Sequence, residues 1–175
     1  VSIAPAEPGH AGALSPLAKK KDESTQSPTI ENRRARFDYH IEETLECGIA
    51  LMGSEIKSVR ASQVSLNEGY VHVGRQPLSL ALLNVNIGEY APAGALGHRP
   101  LRARTLLAHR REMLKIAQAT ERKGMTVVPL KLFFKDGWAK VLIGVARGKD
   151  KADKRRSIGE REAKRDIDRA MSRRR

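Results

Sequence analysis

Few residues in this chain have the type and spacing for covalent chemistry. Cys47 is the only cysteine, so no internal disulfide is possible, as suits a reducing cytoplasm. A lone thiol invites a nucleophile reading, but cysteine serves more often as a small apolar filler. The histidines His10, His40, His72, His98 and His109 show no ligand spacing, whereas a structural zinc site wants Cys or His in close pairs. Asp38, Glu42 and Glu43 are the acids nearest to a metal-dependent nuclease set. Their neighbours form no acidic cluster of fixed spacing, and strands commonly expose acids. The expectation is therefore no catalytic residue, no metal and no cofactor.

The remaining chemistry is electrostatic. The 175 residues include 33 Lys+Arg against 20 Asp+Glu, a net charge of +13. A chain this basic points to a polyanion, either nucleic acid or an acidic membrane surface. No apolar run approaches the roughly 20 residues of a membrane helix. The first residues, Val1-Ser2-Ile3-Ala4-Pro5, lack the basic-then-apolar order of a secretory signal. Lys57, Arg60, Arg102 and Arg104 lie beside expected turns and helix starts. Each alone reads as a solvated charge; together they suggest a basic face. Lys140 differs in character from its neighbours Val141 and Ile143, and phosphate is its natural partner. Phe37 and Tyr39 have the type to stack on bases, but with only seven aromatics in the chain core duty is the stronger reading.

These residues need a scaffold. Residues 1–31 are rich in Pro, Ala, Ser and Gly, lack apolar periodicity, and read as a disordered extension. The body is expected at 32–147. Phe37, Tyr39 and Ile41 alternate as a half-buried strand does, and Gly48 marks a bulge or bend before Ile49–Met52. Ser54 can cap a short helix carrying Ile56 and Val59. Leu66, Tyr70, Val71 and Val73 suggest a strand, and Leu78 to Ile87 a longer one. The segment from Gly88 to Pro100 is an irregular loop of functional length. Leu106, Leu107, Met113, Leu114 and Ala117 recur near helical spacing, with Lys123 closing the helix and Gly124 in the left-handed cap position. Met125 to Phe134 and Trp138 to Val145 flank Lys135-Asp136-Gly137, a strong hairpin signal. Many strands with one well-formed helix predict a mainly-β fold with helices, an OB-like small barrel. The alternative is an SH3-like barrel.

Residues 148–175 form a basic tail. From Arg147 onward there are 13 Lys or Arg against 6 Asp or Glu. Ile158, Ile167 and Met171 make an apolar stripe too thin to hold a free helix. The reading is a tail that is disordered alone and folds on binding RNA.

Three stretches resemble the SsrA-binding protein family. The first is Asn32-Arg33-Arg34-Ala35-Arg36 with Gly53-Ser54-Glu55-Ile56-Lys57-Ser58-Val59-Arg60-Ala61. The second is Arg102-Ala103-Arg104-Thr105-Leu106-Leu107 followed by Arg110-Arg111-Glu112. The third runs from Val127-Val128-Pro129-Leu130 through Phe134-Lys135-Asp136-Gly137 to Val145-Ala146-Arg147-Gly148-Lys149, then Asp153-Lys154-Arg155 and Glu160-Arg161-Glu162. Their order and separation, over residues 32 to about 169, are more specific than any one of them.

The resemblance implies an OB-like body that binds the tRNA-like domain of transfer-messenger RNA, in the space a normal anticodon arm would fill. It implies delivery to stalled ribosomes with elongation factor Tu, in the cytoplasm, and no membrane partner. Glu46, Leu107 and Lys140 match positions that the family uses on RNA, and Arg147 joins Lys57, Arg60, Arg102 and Arg104 in the expected RNA-binding set. A carboxylate such as Glu46 has reason to face RNA if it accepts from a base amino or imino group. The tail would enter the empty decoding site and message channel through Lys149, Lys151, Lys154, Arg155, Arg156, Ile158, Arg161, Lys164, Arg165, Arg169 and Met171. This chain departs from the familiar pattern at Phe37, Asp150, Ala152 and Gly159. A structural ribosomal protein, or a generic OB-fold RNA binder, is the competing class.

Overall fold

The computed structural model describes residues 28–172. The elements run β1 (Ile30–Glu31), α1 (Arg33–Asp38), β2 (Tyr39–Ile49), α2 (Gly53–Arg60), β3 (Val64–Ser65), β4 (Tyr70–Arg75) and β5 (Leu78–Leu83). They continue with β6 (Asn86–Ile87), a 3-10 segment (Ala91–Leu96), β7 (Arg104–Leu107), α3 (Arg110–Ala119), β8 (Met125–Lys135), β9 (Trp138–Gly148) and α4 (Lys151–Ser172). Among the described residues, no helix is long and apolar enough to cross a membrane.

Seven strands form one antiparallel sheet in the order β1-β8-β9-β2-β7-β5-β4, while β3 and β6 pair separately. The mainly-β class with helices is thus present, and the sheet is not closed into a complete barrel. The sheet curls until β4 lies against β8, yet no hydrogen-bonded ladder joins them. Two features of that edge explain the gap. β1 already occupies part of it, with Ile30 opposite Leu132, and Pro129 has no N–H to offer a further strand. The expected N-terminal extension lies outside the described residues except for its last four, and there Ile30 and Glu31 belong to the sheet.

The longest strands serve two apolar clusters because each contains a bulge. In β2, Ile41 faces Ala146 and Glu43 faces Val145, leaving Glu42 as the extra residue. In β8, Pro129 faces Ile143 and Lys131 faces Leu142, leaving Leu130 extra. An extra residue reverses which face the following side chains occupy. Leu45, Cys47 and Ile49 therefore join the main core with Leu82, Val127, Leu132 and Ile143. Ile41 instead joins Ala35, Val128, Leu130 and Ala146 on the other side. Gly48 sits in an unbroken stretch of the ladder, so the bulge lies at Glu42, not at the glycine.

Local chemistry explains three further differences from the sequence reading. Phe37 is helical: Asn32 Oδ1 accepts from the Ala35 N–H at 2.9 Å and nucleates α1. The Asn32 amide also donates to Leu66 O and Pro129 O, at 2.9 and 3.0 Å, so the same side chain pins α1 to the sheet. The stretch Leu78 to Ile87 is broken by Asn84 at φ +55, a left-handed position asparagine tolerates. Leu106 and Leu107 are strand neighbours, one buried and one exposed, and the helix starts only at Arg110 and ends at Ala119. The hairpin is as expected: Asp136 and Gly137 both take positive φ, 52 and 81, between β8 and β9.

Candidate nucleic-acid interface

The short strand β7 and the long strands β2 and β9 bring three expected residues together. Gly48 of β2 is opposite Leu107 on one side and Lys140 on the other, and Glu46 lies two residues along the same strand. The Lys140 ammonium donates to Glu46 Oε1 at 2.5 Å, and Lys135 Nζ stands 3.6 Å from the same oxygen. The Lys140 hydrogen bond, with Lys135 adding its charge, holds the Glu46 carboxyl below its ordinary value. The pair is part-exposed. A carboxylate has about four acceptor sites, so Glu46 can hold its lysines and still accept from a base. Leu107 is 59 % exposed, an apolar surface beside that charge pair. A Cβ at position 48 would sit 3.4 Å from Leu107 Cβ, in ordinary contact with the leucine. His109 and Glu112 complete the shallow depression around these residues.

A second hollow continues from it. Gly48, Leu51, Ile56, Arg60, Leu107, Phe134, Trp138 and Lys140 are among its walls. Trp138 is 75 % exposed at the root of the β8–β9 turn. The Arg60 guanidinium lies 5.7 Å from the Phe134 ring centre, a cation over an aromatic face. Sequence reasoning missed Trp138, Phe134, Lys135 and His109. For Trp138 there was a signal: a tryptophan directly after Asp-Gly sits at a hairpin tip and cannot be deeply buried.

One expected RNA contact, Arg104, is corrected, and a second, Arg102, has a partner within the chain while staying part-exposed. Arg104 is fully buried. Its Nε donates to Glu55 Oε1 at 2.9 Å, Nη1 to Val85 O at 2.6 Å and Nη2 to Pro100 O at 2.8 Å. Arg102 forks onto the same carboxylate, Nε to Oε1 at 2.8 Å and Nη2 to Oε2 at 2.7 Å. Burial alone would raise the Glu55 carboxyl, but hydrogen bonds from Arg102, the Met52 N–H and Arg104 hold it below its ordinary value. That Met52 bond, 2.7 Å long, starts α2. Ser54, expected as the cap, instead lies 3.0 Å from Nδ1 of buried His98, whose Nε2 reaches Ile87 O at 3.1 Å. Arg102 and Arg104 therefore fasten α2 and the 88–103 loop to the sheet. Lys57 and Arg60 are exposed on α2. Arg147 is exposed too, but seven residues along β9 from Lys140, roughly 23 Å away.

Cys47 is buried in the core. Desolvation, with Glu112 and Glu46 nearby, pushes its thiol up to about 11, which leaves too little thiolate for nucleophilic work. Among the described residues, no group of three His, Cys, Asp or Glu is placed to hold a metal ion.

In the tail, Lys151–Ser172 form one helix. Its Lys, Arg, Glu and Ala content favours helix, Asp153 in the first turn and Arg169 in the last suit the helix dipole, and its first turn is anchored to the body. Gly159 interrupts nothing, and a Cβ there would meet open space. Ile158, Ile167 and Met171 are exposed, so the apolar stripe lies uncovered.

A family model described as SmpB protein matches residues 29–173. An SsrA-binding protein of Anaeromyxobacter dehalogenans is 47% identical over 154 residues, 88% of this chain and 93% of that one. Another, of Staphylococcus epidermidis, is 46% identical over 155 residues, 89% of this chain and 97% of that one. A solved chain from "tmRNA-SmpB: a journey to the center of the bacterial ribosome" superposes with a TM-score of 0.60. It is 44% identical and covers 71% of this chain and 86% of its own.

Proposed function

The chain belongs to the SmpB family, and on that premise we propose that it is an RNA-binding adaptor rather than a catalyst. It binds the tRNA-like domain of transfer-messenger RNA and carries it to stalled ribosomes for trans-translation in the bacterial cytoplasm. Elongation factor Tu accompanies the delivery complex. The observation that carries the RNA half is the meeting of Glu46, Leu107 and Lys140 on one exposed face. Lys140, Lys57, Arg60 and Arg147 attract phosphate. Glu46 accepts from a base edge and gives specificity that charge alone cannot. Leu107, with Trp138 beside it, offers apolar surface to an unstacked base.

The tail supplies the ribosomal half. Lys149 precedes helix α4, and Lys151, Lys154, Arg155, Arg156, Arg161, Lys164, Arg165 and Arg169 within it give it its basic character. We assign it to the decoding site and message channel left empty by a truncated message. There ribosomal RNA neutralises the charge and a groove covers Ile158, Ile167 and Met171.

A chain ending at Asp150 separates the halves. It keeps every strand, so it should bind the tRNA-like domain like the full chain yet fail to support tagging on stalled ribosomes. Full tagging by the shortened chain would remove the tail from the reading. Equal, weak binding of ordinary tRNA and the tRNA-like domain would remove the recognition claim.

A further inference from the structure

The outer face of β2 is bare at Gly48. Glu46 and Gly48 lie two residues apart in an unbroken stretch of the ladder, so they share a face, roughly 7 Å apart along the strand. Leu107 and Lys140 flank the glycine from the neighbouring strands. Gly48, Leu107 and Lys140 wall both hollows, and Trp138, 75 % exposed, lines the second beside them. The result is a floor without a side chain, apolar surface around it, and a charged pair at one end. A flat ring lying on that floor turns its edge to Glu46.

The hydrogen-bonding capacity left on the charged pair is uneven. Lys140 donates to Glu46 Oε1 at 2.5 Å, and Lys135 Nζ stands 3.6 Å from the same oxygen. Among the described residues, no hydrogen bond reaches Oε2. The Lys140 bond holds the carboxyl below its ordinary value, so near neutral pH both oxygens accept and neither donates. An ammonium has three N–H groups, so Lys140 keeps others to give. Glu112, the other acid of the depression, is engaged by the His109 N–H at 3.0 Å. The pair thus presents one donor beside two acceptors.

Guanine is the base whose Watson–Crick edge complements that row, with an O6 acceptor beside the N1–H and N2–H donors. Adenine, cytosine and uracil each bring one donating group to that edge, which leaves the second carboxylate oxygen against an acceptor or a C–H. The edge is open only in an unpaired nucleotide, and unpaired bases are the ones proteins stack on aromatic and apolar side chains. We infer that the hollow over Gly48 is a socket for one unpaired guanine. Glu46 accepts from N1–H and N2–H, Lys140 donates to O6, and the ring packs against Leu107 and Trp138. The socket rests on the RNA-binding reading of this face and adds to it the identity of the base.

Binding of the full chain to the tRNA-like domain, with each unpaired guanosine replaced in turn by inosine, tests the socket. Inosine keeps O6 and N1–H and lacks the 2-amino group. One replacement should weaken binding about tenfold, read by filter binding and by the fluorescence of Trp138, the only tryptophan. Glu46→Gln alters a part-exposed side chain and should leave the unfolding midpoint unchanged. It should bind the unmodified RNA more weakly, yet respond to that same replacement by no more than about twofold, because its amide offers one acceptor where the carboxylate offers two. An inosine that only disturbs the fold of the RNA weakens binding to both proteins alike. Absence of a sensitive position in the parent, or the same loss in both proteins, overturns the guanine socket and leaves the RNA-binding reading standing. Failure of the parent to bind the unmodified RNA removes both.

Discussion

Glu55 and Glu46 each hold two cations, and they do opposite things. Glu55 with Arg102 and Arg104 is buried, and the guanidinium of Arg104 is completed by the carbonyls of Val85 and Pro100. Glu46 with Lys140 and Lys135 stands on the surface beside Leu107 and Trp138. The first set spends its hydrogen bonds within the chain. The second keeps acceptor and donor capacity for a partner. Planar, multidentate arginine suits the buried role, and mobile, strongly hydrated lysine suits the exposed one. Charge type and number do not separate structural from functional clusters; burial and the fate of each polar atom do.

The largest difference should appear on removing the carboxylate. Glu55→Ala leaves Arg104 buried without its counter-ion and should destabilise the fold by about 3–5 kcal/mol, read from urea unfolding. Glu46→Ala should leave the unfolding midpoint unchanged. A Glu55→Ala protein as stable as the parent would erase the contrast.

Binding should reverse the ranking. Glu46→Ala should weaken affinity for the tRNA-like domain by roughly ten- to a hundredfold. The same variant should bind unrelated RNA slightly tighter, since an acid has left a basic protein. Filter binding with both RNAs decides it, and tighter specific binding would make Glu46 an ordinary solvated acid.

Acid sharpens the comparison. The Glu55 carboxyl is held below its ordinary value of 4.5. Its contribution is therefore complete above that value and lost as pH falls through the lower folded value. Urea midpoints of the parent and Glu55→Gln should differ most near neutrality and converge below that range. A constant difference would mean the contribution does not depend on ionisation.

The smallest expected effect is graded with salt. Each neutralised phosphate contributes a slope of about −0.7 to −0.9 in log affinity against log salt. With Lys57, Arg60, Lys140 and Arg147 as contacts, the slope should be steeper than about −2. Changing Lys140 to Ala should reduce it by about one contact. A flat titration would contradict the phosphate assignments.

Legibility followed distance along the chain. The β8–β9 hairpin could be read because Asp136-Gly137 is a local instruction. The helix at Gly53–Arg60 was visible for the same reason, although its N-cap is Met52, whose N–H is taken by Glu55, and not Ser54. Arg104 was misread because its partner Glu55 lies 49 positions away, and an isolated arginine looks the same whether it is meant for phosphate or for the core. Leu106 and Leu107 were misread as helical because Met113, Leu114 and Ala117 extend the spacing across a boundary that His109 marks only weakly. Nothing local signalled that Glu42 would be an extra residue reversing the faces of β2. Glu46, Leu107 and Lys140 were named from family resemblance; their adjacency through Gly48 came only from the register.

The sheet order also sets a timetable for synthesis. β9 lies between β8 and β2, yet it is the last strand to be translated. Until it emerges, the growing chain holds two unjoined fragments: β2 with β7, β5 and β4, and β8 with β1. Pairings between such distant segments close slowly, and until they close the facing edges of β2 and β8 are open to proteases and to other nascent strands. A message broken after the codons for β8 but before those for β9 would therefore yield a product that cannot join its own halves through the sheet, and quality control would meet it as two sticky edges rather than as a damaged protein.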